Sequence, residues 1–476
     1  MSRRPARLAW LLGLVVSFAD AASLTLDRPS VPPGQPLGFD AAGFAPGEPL
    51  TLYLDDQALA PAYAADGHGA LRARANTPTA ARAGLHRLTL RGATARASAA
   101  LRLDAPWPQF GFDAAHTRHA LYETRLRAAR LGELTLHWRK TFRCGGQLYT
   151  SPAVRDGLLY VGCSAAGRRA YGLSALNEAS GTTHWSRTGD GFGLSSPALA
   201  GDLVISGSRE DGRLSAFDAR SGAPRWSLQT EGFVIASPTV ADGRVFVGSK
   251  DARVYALDVA SGALLWRADT GGAITASAAL AGGTLFVGVH DGSLYAFAAD
   301  DGHLRWRAPT GGALQSPPLA GGDAVFVESN DGLLYAFAQA DGTPRWAVPV
   351  GTRAPEGDQL ATSAAYADGV LYLGSRDQRV RALDAVDGRL RWSTDLGAPV
   401  LASPALANGL VFVATVDGRL QVLDAADGQV RLDRPVGDGW PIQHSVVVAN
   451  GRVYLGASDN TLYAFGLPED APPGAP

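Results

Sequence analysis

The sequence predicts an all-β chain: an eight-bladed β-propeller preceded by a small immunoglobulin-like β-sandwich. Three observations carry this reading. A motif of roughly forty residues recurs eight times, a period that belongs to propeller arrays. Each copy breaks into short apolar runs separated by Gly-containing turns. The last copy lacks its fourth run, and a matching run stands immediately upstream of the first.

The copies are placed to begin at Ser151, Ser196, Ser237, Ser277, Ser316, Ser363, Ser403 and Ser445. The clearest read SPTVADGRVFVGSKDARVYALDVASGALLW (237–266) and SAAYADGVLYLGSRDQRVRALDAVDGRLRW (363–392). After a first short strand comes a two-residue turn such as Asp242-Gly243, Asp368-Gly369 or Asn450-Gly451. Asp-Gly and Asn-Gly suit tight hairpins that need positive φ at both positions. The second strand is β-branched and aromatic, as in Val245-Phe246-Val247. A turn around Asp251 or its equivalents leads to the third strand, and a turn ending in Gly262 or its equivalents leads to the fourth.

The fourth strand carries Trp185, Trp226, Trp266, Trp306, Trp346 or Trp392, with Leu432 in the seventh copy. One indole per repeat on an outer strand is read as filler between neighbouring blades, because Trp buries a large area with a fixed shape. The eighth copy stops at Phe465. Leu134–Trp138 is predicted to supply its outer strand, with Trp138 as that strand's indole, so that the ring closes without an exposed sheet edge.

From Ser23 to Asp104 the forty-residue period is absent and short alternating strands remain, such as Leu50–Leu54 and His86–Leu90. This pattern predicts the sandwich over residues 23–104, with the propeller over 105–466. Residues 1–22 read as a secretory signal: Arg3, Arg4 and Arg7, then the apolar run Leu8–Phe18, then Ala19-Asp20-Ala21. The mature chain is therefore expected to have no transmembrane span. The Pro-rich tail 467–476 is expected to be disordered.

The formal net charge is −2, which gives no support to a nucleic-acid partner. The two cysteines, Cys144 and Cys163, are candidates for a disulfide in an exported chain. Such a bond would tie the loop entering the first blade to the end of that blade's second strand. No metal-ligand spacing, phosphate loop or nucleophile elbow is present.

These repeats resemble the pyrroloquinoline-quinone (PQQ)-like propeller family, which includes quinoprotein dehydrogenases and BamB-type lipoproteins of outer-membrane barrel assembly. The segment WPQFGFDAAHTR (Trp107–Arg118) is similar to the one that opens such propellers. The resemblance spans residues 107–466 and implies the fold more strongly than an activity. For the dehydrogenases it implies bound PQQ and calcium, an adjacent Cys pair, and a Glu, Asn and Asp calcium site with a catalytic Asp. The adjacent Cys pair is absent, and no such set maps onto positions of this chain. The chain also departs from the BamB-type lipoprotein, having no cysteine near the cleavage region.

The loops that enter the blades and the turns between second and third strands should share one face, and their lengths are uneven. Trp266 to Ser277 is eleven positions, Trp346 to Ser363 seventeen and Leu432 to Ser445 thirteen. Uneven loops on one face of a repeat scaffold mark it as the binding face. Before the turn Asp, a column of equivalent positions holds Arg209, Lys250, His290, Asn330, Arg376, Val416 and Ser458. Candidate binding residues are Arg209, Lys250, His290, Arg353, Arg376, Trp440 and His444; no catalytic residue and no metal ligand is assigned. Glu328 breaks the glycine pattern of Gly248, Gly288 and Gly374, with pairing to a nearby Arg as its simplest role.

The expectation is a monomeric, exported, non-catalytic scaffold of the periplasm, cell envelope or exterior that binds an envelope or secreted protein without a cofactor. Two alternatives stand beside it: a PQQ-dependent dehydrogenase, and a binder of extracellular polysaccharide.

Overall fold

The computed structural model describes residues 22–468, except 29, 79–80, 82–83, 144–147, 149, 164–171, 189–193, 352–361 and 443. Residues 1–21 of the predicted signal and 469–476 of the predicted tail lie outside the described residues. The chain divides after Leu103 into two compact units. Among the described residues no helix is long and apolar enough to cross a membrane.

The N-terminal unit contains two sheets. One has three strands in the order Ser23–Leu26, Pro36–Ala42, Leu71–Asn76. The other has five, in the order Ser30–Val31, Arg96–Leu103, Gly84–Arg91, Pro49–Leu54, Gln57–Ala64. The short Ser30–Val31 strand runs parallel to its neighbour. Alternation along Pro49–Leu54 buries Leu50, Leu52 and Leu54, which join Phe39, Leu88, Leu90, Leu101 and Leu103 in one core.

The second unit is a β-propeller. Among the described residues, eight four-stranded antiparallel sheets follow one another. The first comprises Ala153–Arg155, Leu158–Cys163, Gly172–Asn177 and Thr183–Thr188. The next six span residues 198–229, 239–269, 279–309, 319–349, 365–395 and 405–435. The eighth takes Val447–Ala449, Arg452–Gly456 and Thr461–Gly466 from the end of the chain and Thr135–Thr141 from its beginning. Leu462 pairs with Lys140, Tyr463 with Arg139 and Ala464 with Trp138, so the ring is closed by backbone pairing.

Neighbouring blades are joined by two repeated devices. Each fourth-strand indole donates to a backbone carbonyl one blade on: Trp138 to Glu178 at 3.0 Å, Trp185 to Ala219 at 2.8 Å and Trp226 to Val259 at 3.0 Å. Trp266, Trp306, Trp346 and Trp392 repeat the bond to Ala299, Gln339, Ala385 and Ala425. The ring lies over the glycine of the next blade's last turn. A Cβ at Gly302, whose φ is +76°, would stand 2.5 Å from Trp266. The second device is a serine relay near the inner strands. Ser151 N–H donates to Ser196 Oγ at 3.0 Å, Ser196 to Ser237 at 3.0 Å, Ser237 to Ser277 at 2.9 Å and Ser363 to Ser403 at 3.0 Å.

The relay corrects one repeat boundary. Ser316 Oγ donates to the Thr362 carbonyl at 2.6 Å, as Ser195 Oγ does to Ala236 at 3.1 Å. Ser316 is thus the counterpart of Ser195, and Pro317 takes the relay position. A hydroxyl one residue early mimics the repeat in sequence.

Residues 105–120 form a strap that crosses the inner strands of all eight blades. The Ala105 carbonyl accepts from Asn450 N–H at 3.2 Å, that of Trp107 from Val154 at 2.8 Å and that of Pro108 from Leu199 at 2.8 Å. Ala114, Ala115, Thr117 and Arg118 accept from Leu280, Ala320, Tyr366 and Leu406 at 2.6–2.9 Å. At blade three the Gln109 side chain substitutes for backbone, its Oε1 accepting from Val240 N–H at 2.8 Å and its Nε2 donating to the Val240 carbonyl at 3.3 Å. One segment thereby satisfies an inner-edge donor in every blade, which matters because unpaired sheet edges invite association. It lies toward the end of the ring that carries the first hairpin turns, where Asp104 accepts from Asp156 N–H at 2.6 Å and the Leu126 carbonyl from Asn408 at 3.1 Å.

Candidate functional site

The opposite end of the ring is built from the incoming loops and the turns between second and third strands. These meet directly. The N–H groups of Lys250, His290, Asn330, Val416 and Ser458 donate to the carbonyls of Phe233, Ala273, Ala313, Pro399 and Pro441 at 2.9–3.0 Å. These five positions of the column are therefore pinned to the loops by their backbone, which leaves their side chains to vary. The turn aspartates are occupied: Asp251, Asp291 and Asp331 accept from the hydroxyls of Tyr255, Tyr295 and Tyr335 at 2.6–2.7 Å.

The candidate residues take different places on this end. Arg209 is exposed on the turn of blade two. Lys250 lies 6.0 Å from the Phe233 ring centre, and Phe233 is 43% exposed. His290 is half-buried, with a ring nitrogen 2.8 Å from Thr275 Oγ1. Burial first, and then the Lys250 charge, lowers its pKa, so it stands as a neutral imidazole at neutral pH. Trp440, on the incoming loop of blade eight, is 51% exposed. Arg376 is half-buried and has a partner of its own. Arg353 lies outside the described residues. His444, expected to face a ligand, is instead 6% exposed, and burial lowers its pKa to about 4. It packs behind the loop as a neutral side chain. Cys163 is buried at the end of Leu158–Cys163, while Cys144 lies outside the described residues, so their pairing does too.

The feature that the sequence understates is Glu328. It ends the strand Ala324–Glu328 and opens onto a small pocket of about 70 Å³ between blades five and six. Ser316, Ser329, Asn330, Thr362, Ser375 and Arg376 supply polar lining, and Val350, Val400 and Leu401 an apolar wall. The described partner of the Glu328 carboxylate is the Thr362 hydroxyl, at 3.3 Å from Oε2, rather than the Arg expected from sequence. Desolvation raises its pKa to about 8, and the Thr362 hydrogen bond opposes this only in part. The signal was present in the sequence as one acid in a column of glycines, next to the longest incoming loop.

A family model described as "Outer membrane protein assembly factor BamB" matches residues 169–270, 250–356 and 349–432, more than half of the chain. No curated protein matches the chain significantly. Among solved structures, BamB from Moraxella catarrhalis is similar at 19% identity and a TM-score of 0.56, over 70% of this chain and 99% of that one. The quinohemoprotein alcohol dehydrogenase of Comamonas testosteroni is similar at 18% identity and 0.64, over 76% and 80%. The quinohemoprotein alcohol dehydrogenase ADHIIG of Pseudomonas putida HK5 gives 16% and 0.63, over 76% and 80%. At these identities the likeness is one of fold.

Proposed function

Since the chain belongs to the PQQ-like β-propeller repeat family, we propose that it is an exported, non-catalytic scaffold of the cell envelope whose loop-rich end binds another protein, in the service of outer-membrane protein assembly. The observation that carries this reading is the asymmetry of the ring. One end is occupied by a strap bonded to every blade, and the other presents uneven loops, the exposed aromatics Phe233 and Trp440, and the Glu328 pocket. Exposed aromatic and Arg side chains dominate the energetics of protein interfaces.

A quinoprotein dehydrogenase would require PQQ held with calcium. Calcium takes six to eight oxygen ligands, several of them carboxylates. Among the described residues no group of three His, Cys, Asp or Glu side chains is disposed to hold a metal ion. The described donor set does not fit that cofactor.

The test is photo-crosslinking in exported protein. A crosslinker at Trp440 or Phe233 should capture a defined envelope protein, and one at Asp242, on a first hairpin turn, should not. Capture from Asp242 alone, or dye-linked alcohol oxidation that depends on added PQQ and calcium, would overturn the reading.

A further inference from the structure

We propose that the Glu328 pocket receives one organic cation, the ammonium or guanidinium end of a lysine or arginine side chain carried by the bound partner. The source of the cation rests on the scaffold reading above; the chemistry rests on the pocket alone.

The repeat itself shows what is unusual. The counterparts of Glu328 in blades two, three, four, six and eight are Gly207, Gly248, Gly288, Gly374 and Gly456. A Cβ at Gly207, Gly288 or Gly456 would meet Val234, Leu314 or Leu148 at 2.5, 3.1 or 2.9 Å, and at Gly248 or Gly374 it would meet Ile274 or Val400 closer still. An apolar side chain of the incoming loop thus fills this space in most blades. Blade five places a carboxylate there, beside a pocket.

Among the described residues that carboxylate is uncompensated. Burial dominates its electrostatics, and no described cation offsets it. The other charged lining residue, Arg376, is already engaged. The remaining lining offers hydroxyl and amide oxygens for N–H donors, and Val350, Val400 and Leu401 offer a surface for a methylene stem. A single carboxylate with neutral oxygens and an apolar wall suits a side-chain cation, which gains a charge-assisted hydrogen bond. It falls short of the oxygen shell that a calcium ion requires.

Isothermal titration calorimetry on the full chain tests this with capped Gly-Lys-Gly and Gly-Arg-Gly peptides, a norleucine analogue and calcium chloride. The cationic peptides should bind and the norleucine peptide should not. Only the ionised carboxylate is competent, so with a pKa of about 8 apparent affinity should rise roughly 90-fold between about pH 6 and about pH 9. Glu328→Gln and Glu328→Gly should both abolish binding. The glycine variant restores the residue common to the other blades and should melt as the wild type does; the glutamine variant keeps the side chain's shape. Equal binding to Glu328→Gln, pH-independent binding, calcium binding in place of the peptides, or no binding by any probe would overturn the proposal. These outcomes leave the crosslinking result from Trp440 untouched, so this inference and the scaffold reading fail separately.

Discussion

The indole N–H of Trp266 donates to the Ala299 carbonyl of the next blade at 2.9 Å, and its ring occupies the space where a side chain at Gly302 would stand. Trp266→Ala should cost about 3–5 kcal/mol, through lost area and an unfilled gap. Gly302→Ala should cost at least about 1–2 kcal/mol from its left-handed backbone alone, with the indole clash added. In the Trp266→Ala background only the backbone part should remain. Chemical denaturation of the two single variants and the double variant measures that coupling; additive losses would mean that the ring and the glycine do not interlock.

The same interlock explains why Leu432 stands where a Trp is expected. A Trp in blade n rests on the last turn of blade n+1. In the eighth blade, Thr461–Gly466 and Thr135–Thr141 come from distant parts of the chain, so no turn joins them and no glycine awaits an indole. Leu432 packs against the core that contains Leu131 instead. The sequence revealed the substitution but not its cause, because the cause is the chain break in the neighbouring blade.

Asp104 is expected to make the ring-closing junction sensitive to pH. Its carboxyl accepts from Asn450 Nδ2 at 2.6 Å, and the same amide donates to Glu178 at 3.0 Å. Burial, and then the Glu178 charge, raises the Asp104 pKa from 3.8 to about 7. A carboxyl whose folded pKa is raised holds its proton more tightly when folded. Its stabilising contribution is complete below about pH 4 and is lost as pH rises toward 7, by a few kcal/mol at most. Denaturation midpoints should fall across that window, and Asp104→Asn should flatten the fall. An unchanged slope in the variant would assign the dependence to another group.

Gln109 tests the strap. Its amide alone meets Val240 where the strap backbone does not reach. Gln109→Ala should cost about 1 kcal/mol by leaving a partly buried donor and acceptor unpaired. Hydrogen exchange at the Val240 amide should accelerate selectively, with the Val154 and Leu199 amides still protected.

The cysteines give a chemical prediction. Exported protein should contain a Cys144–Cys163 disulfide, whose loss would cost roughly 3 kcal/mol by the unfolded-chain argument. Two alkylatable thiols in non-reduced protein, read by mass spectrometry, would contradict it.

The legible parts of this molecule are those repeated at a constant interval. The Trp, Gly and Asp-Gly positions each recur because every blade needs the same contact, so period and residue type together give the fold. Position 316 shows the limit, where a serine one residue early passes for the relay serine. The strap was visible only as a likeness to a family segment, since its bonds run through backbone carbonyls that almost any residue supplies. His444 looked available because it lies in a loop, yet that loop packs its ring inward. Glu328 stands out in the sequence as an exception, but its described partner is the Thr362 hydroxyl and no described Arg, because the space around it depends on residues from three blades.

The closing strand has a temporal consequence. Thr141 and Thr461, whose hydroxyls lie 2.9 Å apart, are separated by 320 positions. At a synthesis rate of about 5–20 residues per second, Thr135–Thr141 waits roughly 16–64 s after its own synthesis before its partner strand exists. During that interval it is an unsatisfied edge, able to pair with the wrong strand or with another copy of the chain. The protein's most vulnerable moment comes just before completion, when seven blades are present and the eighth still lacks its partner.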